Sequence, residues 1–177
     1  SGLTSGTVGP LDNTIGTISS SNIAIGTQRM YFDVLAPTTL VSVDIYPTAA
    51  IGSNGSVTIR DNTQAVIADI PYTTTVTGGA LQVVPMNVVL APGTGYEMGQ
   101  GTAIQLNRNT TGAVYPYTSS AINITGNSFD PVYYYFFYNW QFLAGCESGR
   151  TPVTATINPL PSLFNVTGGG NYCTGGA

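Results

Sequence analysis

Between Tyr133 and Phe142 the chain reads YYYFFYNWQF, eight aromatic side chains in ten residues. Each such ring buries roughly 150–250 Å² when packed, so a fold for this chain must give the run an interior. The run is far short of the roughly 20 apolar residues that cross a bilayer as a helix. Read as a strand it splits by parity: Tyr134, Phe136, Tyr138, Trp140 and Phe142 share one face, and Tyr133, Tyr135 and Phe137 share the other with Asn139 and Gln141. The reading that follows is an aromatic spine on a central strand, one face packed against an opposing sheet. The tyrosine and amide face offers a second use. It is suited to stack on sugar rings and to hydrogen-bond their hydroxyls, unless a neighbouring module covers it.

The rest of the chain repeats the period of two. No window of a dozen residues keeps the three-and-four apolar spacing of a helix without a Gly, Pro or Thr-rich interruption. LVSVDIYP alternates, with Val41, Val43 and Ile45 on one face and Ser42 and Asp44 on the other. SVTIRDNTQAVIADIP reads as a hairpin turning at Asp61-Asn62. Further strands are expected near Arg29, Leu81, Tyr96 and Ala103, then in AVYPY, AINIT, the aromatic run and PVTATI, about ten in all. Turn clusters at 77–79 and 91–95 separate them, and Pro85 assigns its strand to a sheet edge or a bulge. The expected fold is all-β, an antiparallel two-sheet β-sandwich of jelly-roll-like arrangement.

Composition narrows the chemistry. The 177 residues include no His and no Lys, four Arg, and eight carboxylates. That removes the side chain that titrates near neutrality and the usual Schiff-base former. Charged residues make up 7% of the chain, against about 25% in ordinary domains, so the surface is neutral and hydroxyl-rich. A net charge of −4 with scattered arginines supplies no basic stripe for nucleic acid or for an anionic membrane. With 42% hydrophobic residues the chain has material for a core. The opening SGLTSGTVGP lacks a basic start and an apolar stretch, the expectation for a mature or excised chain without signal peptide.

Candidate sites are few. Asp33, Asp44, Asp61, Asp69, Asp130, Glu97 and Glu147 are dispersed and form no local catalytic pair, so no catalytic residue is assigned and the chain is expected not to be an enzyme. Calcium is the one cofactor with candidate ligands, at Asp61-Asn62 and at Asn127 with Asp130, although Asx residues more commonly serve turns. Four N-x-S/T matches begin at Asn54, Asn109, Asn123 and Asn165 and would mark surface loops in a glycosylating host. The candidate glycan-contact aromatics are Tyr115, Tyr117, Tyr133 and Tyr135. Pairing Cys146 with Cys173 would close a loop of about 27 residues; the alternative is that each pairs outside the chain, and either favours oxidising surroundings. Two cysteines without histidine make a poor zinc site.

From Cys146 the texture changes to CESGRTPVTATINPLPSLFNVTGGGNYCTGGA, a strand, a proline-bracketed linker and a glycine-rich opening. The division expected is a sandwich module over 1–145 and, over 146–177, a closing strand, linker and opening strand. FDVLAPTTLVSVDIYP, NGSVTIRDNTQAVI, NRNTTGAVYPY, INITGNS and YYYFFYNWQF, in that order, resemble a β-sandwich module of large secreted Bacteroidota surface proteins. CESGRTPVTATINPLP resembles the closing strand of the Ig-like repeats that accompany it, and FNVTGGGNYCTGG the opening strand of the next. The resemblance implies export, commonly by the type IX system, and a place at the cell surface in long repetitive proteins of adhesion, gliding or surface structures. It assigns no catalytic residue, and it implies that Cys146 pairs outside the chain. The function expected is a structural or adhesive module, with neighbouring modules or copies as partners and strand addition through the tail as one route of assembly. The alternative is a carbohydrate-binding module for surface glycans. Nucleic acid and direct membrane insertion are not expected.

Overall fold

The computed structural model describes residues 2–145. The tail assigned to 146–177, with Cys146, Cys173 and the strand PVTATI, lies outside the described residues. Within them the chain is all-β. Its strands are β1 (Leu3–Val8), β2 (Ile18–Ser21), β3 (Met30–Val34), β4 (Thr38–Ile45), β5 (Asn54–Arg60), β6 (Val66–Thr73), β7 (Gln82–Leu90), β8 (Gly93–Gln100), β9 (Leu106–Asn109), β10 (Tyr117–Thr118), β11 (Ile122–Asn127) and β12 (Tyr138–Gly145). Of these, β1 and β2 have no counterpart among the expected strands, whereas β9 and β10 overlap the stretches expected near Ala103 and in AVYPY.

One sheet has the order β1-β12-β4-β7 and the other β10-β11-β3-β8-β5-β6. Four antiparallel pairs nest in sequence: β1 with β12, β3 with β8, β4 with β7, and β5 with β6. Rolling up such a nested ribbon produces a jelly roll, so the strand order bears out the expected architecture. The stretch between β8 and β12 adds β10 and β11 to the six-stranded sheet and places β9 beside β2.

Between the sheets lie Phe32, Leu40, Val43, Ile45, Val57, Ile59, Met98 and Trp140, all without solvent exposure. Phe32 stacks on Tyr96 at 5.3 Å between ring centroids and meets Trp140 edge-on at 5.2 Å, joining strands of opposite sheets. Gly6 seats another ring: a Cβ there would stand 2.5 Å from Cζ of Phe142.

Two local readings need correction. Register shifts occur at Val41 toward both neighbours: against β12 the extra residue is Val41 of β4, and against β7 it lies in β7, between Pro85 and Val88. Leu40 and Val43, three residues apart, therefore both reach the core, and Val41 is half-buried on the outside. The aromatic run is likewise not one strand. Regular pairing starts only at Tyr138; before it, Tyr134 makes an isolated bridge to Asn109 and Phe136 adopts a φ of 63°, and just after it Asn139 adopts 44°. These left-handed residues break the parity, so Tyr134, Tyr135, Phe136, Phe137 and Tyr138 are all buried. By contrast β7 does lie at a sheet edge with Pro85 exposed, and the β5–β6 hairpin turns at Asp61 as expected.

Candidate functional site

The sequence directs attention to four tyrosines, and the segment from Arg108 to Tyr138 brings them into one aromatic cluster. Tyr115 stacks over Tyr134 at 6.3 Å and meets Tyr117 edge-on at 5.4 Å; Tyr133 lies 6.1 Å from Tyr135. The hydroxyls of Tyr115 and Tyr117 are turned to the fold. Tyr115 donates its hydroxyl to the Tyr133 carbonyl at 2.7 Å, and the Tyr117 hydroxyl accepts from the Val114 amide at 3.1 Å. Asn127 Nδ2 donates to the carbonyls of Asp130 and Tyr133, at 2.8 and 2.9 Å, and locks the loop that carries Tyr133.

Exposure separates the four. Tyr115, Tyr117 and Tyr133 are half-buried, whereas Tyr135 is 1% exposed. The expected platform of Tyr133 and Tyr135 on one open strand face is therefore corrected: Phe136 turns left-handed just after Tyr135, and this ring is interior. The outermost ring is one the sequence reading did not select. Phe129 is 65% exposed and meets Tyr133 edge-on at 5.3 Å. Arg108 lies over both Tyr133 and Tyr135, at 5.5 and 5.8 Å from its guanidinium carbon, and donates to Gln28 Oε1 at 3.1 Å. Phe129 and Arg108 gave no signal in sequence because each is isolated in a polar stretch.

Behind this cluster sits a buried polar bracket. Asn109, with no exposure, exchanges two backbone hydrogen bonds of 3.0 Å with Tyr134. Its Nδ2 donates to the carbonyls of Asn13 and Gly16, and its Oδ1 accepts from the Tyr138 hydroxyl at 2.7 Å. Among the described members of the N-x-S/T set this asparagine is inside the protein, not in a surface loop. Burial raises the phenol pKa of Tyr115, Tyr134 and Tyr138, and pushes Tyr135 up to about 12 against the opposing pull of the Arg108 charge.

The carboxylates serve turns and pairs. Asp61 Oδ1 accepts from the amides of Thr63 and Ala65 and from the Thr63 hydroxyl, which lowers its pKa. Asp130 Oδ1 accepts from the Val132 amide. In both loops named as calcium candidates these oxygens accept Asx-turn hydrogen bonds, and among the described residues no three acidic, Cys or His side chains gather. Glu97 pairs with Arg29 at 3.0 Å. Asp44, 4% exposed, accepts from Asn139 Nδ2 at 3.0 Å, and desolvation raises its pKa.

Among the described residues two grooves stand out, and none of the four tyrosines lines either. One of about 320 Å³ lies beside β1 and β12, lined by Ser5, Thr7, Val41, Gln141 and Leu143. The other, about 500 Å³, lies at one pole between Leu35, Pro37, Pro92, Ser120 and Ala144. Comparison of the chain with protein-family models, with curated proteins and with solved structures found no match.

Proposed function

We propose that this chain is a non-enzymatic structural and adhesive module of a secreted bacterial surface protein or filament, working with neighbouring modules or copies. The observation that carries the reading is the fate of the aromatic run: Tyr134 to Tyr138 are spent inside the fold. Rings that dominate the interior contribute packing, and their loss is felt as stability, not as affinity. The neutral, hydroxyl-rich composition and the resemblance to Bacteroidota surface modules support the same reading. Strand donation by residues after Gly145 concerns the segment outside the described residues.

The alternative is a carbohydrate-binding module using Tyr115, Tyr117 and Tyr133, all half-buried, with exposed Phe129 and the Arg108 guanidinium beside Tyr133. A glycan array probed with the full chain tests between the two. The structural reading expects no glycan retained. A glycan that binds the parent and is lost from both Phe129→Ala and Tyr133→Ala would replace it with the carbohydrate-binding one.

A further inference from the structure

Val43 and Ile45 face the core without solvent exposure, so the alternation of β4 sends Asp44, between them, to the outer face of the four-stranded sheet. Yet Asp44 is only 4% exposed there. Its surroundings answer half of the carboxylate: Oδ2 accepts from Asn139 Nδ2 at 3.0 Å, and Oδ1 is buried without a donor. No arginine pairs with it among the described residues, where Arg29 pairs with Glu97. An ionised carboxylate so placed has exchanged water for one neutral hydrogen bond, a poorer exchange than the neutral acid makes.

The donor holds a joint of the fold. Between the pairs Tyr138–Asp44 and Gln141–Ser42, Asn139 and Trp140 stand against Val43 alone, a bulge in β12. Asn139 is left-handed, and its backbone amide donates to the Pro10 carbonyl at 2.8 Å. One residue thus ties the start of β12 to β4 through its side chain and to the loop after β1 through its backbone. The groups around Asp44 bring no positive charge to this joint. β7 sets Val83 opposite Asp44 and has no titratable residue, and β12 has only Tyr138, whose hydroxyl donates to Asn109. At the end of β4 follows Tyr46, whose phenol pKa is raised by burial and then by the charges of Asp12, in the loop after β1, and of Asp44.

We infer that Asp44 and Asn139 form a proton-sensitive clamp on the β12 bulge, loaded while Asp44 is ionised and relieved when it takes up a proton. Burial raises the Asp44 pKa, and the Asn139 hydrogen bond opposes this only in part. Folding therefore favours the neutral acid. This contribution to stability is full below the unfolded value of about 3.9 and is lost as pH rises through the higher folded value. Asp12 and Asp61, held below the usual carboxylate range by hydrogen bonds from Thr14 and Thr63, act with the opposite sign. The clamp goes beyond the structural reading, because it is the same whatever the module is joined to.

The test is urea unfolding of the parent and of Asp44→Asn, the neutral isostere, at about pH 3 and about pH 7. Asp12 and Asp61 are common to both chains and cancel in the comparison. The ratio of the parent's unfolding equilibrium constant to the variant's is expected to rise at least about threefold from the lower pH to the higher. A ratio that stays constant or falls overturns the inference. The parent alone supplies a second reading, which holds even where the variant does not fold. Its Asp44 carboxyl carbon resonance should titrate with a midpoint above about 3.9, and the Asn139 side-chain amide signals should move with the same midpoint. A carboxyl midpoint at or below that value, or amide signals that ignore it, would each overturn the clamp.

Discussion

Asn109 concentrates what the sequence could not disclose. In the sequence it begins one more N-x-T match; in the fold its amide joins the loop at Asn13 and Gly16 to Tyr138, partners 96, 93 and 29 residues away. Nothing local announces such a role. Asn109→Ala strands two carbonyls and a phenol in the interior, each costing about 1–3 kcal/mol, so a loss of about 3 kcal/mol or more in denaturant unfolding is expected. The buried phenols make a further residue-scale prediction. Their folded pKa values lie above the unfolded value near 10, so the neutral forms stabilise the fold fully below about pH 10. That stability is lost as pH rises through the folded values, the lowest of the four being Tyr135 at about 12. Tyrosinate absorbance should therefore show a group of phenols that ionises only with cooperative unfolding, above pH 10. A single smooth titration of all tyrosines near pH 10 would show that the cluster is open to solvent.

At the scale of elements, legibility followed regular pairing. The β5–β6 hairpin was readable because Val57 and Ile59 alternate and Asp61 carries its own turn chemistry. The edge position of β7 was readable because proline cannot donate to a central ladder. Parity failed wherever the backbone left the pleat. The bulge at Val41 exchanges inside for outside over one residue, and the left-handed Phe136 folds two sets of rings into the same interior. Both departures depend on contacts with distant strands, which no window of the sequence contains. Tyr135 leaves the expected open face with the second of them, because parity alone had turned it to solvent.

For the whole molecule, the sandwich was legible from strand spacing and turn clusters, and the four nested pairs give it a jelly-roll order. The pairing of β1 with β12 has a mechanical consequence. Leu3 and Gly145 are cross-strand partners, so tension applied across these two residues loads the ladder one rung at a time from its end. A module held at those points is therefore better suited to project and pack than to resist shear between them. That agrees with the proposed structural role founded on packing, with the aromatic cluster as the interior.

Equilibrium unfolding of Tyr135→Ala beside Phe129→Ala tests most directly whether the aromatic run is interior structure. The two rings belong to one cluster, but one is 1% exposed and the other 65%. Tyr135→Ala is expected to lose about 3–5 kcal/mol, the range for emptying a large buried ring, while Phe129→Ala stays within about 1 kcal/mol of the parent. A Tyr135→Ala chain as stable as the parent would contradict the account, because a ring whose removal costs nothing is not part of the core.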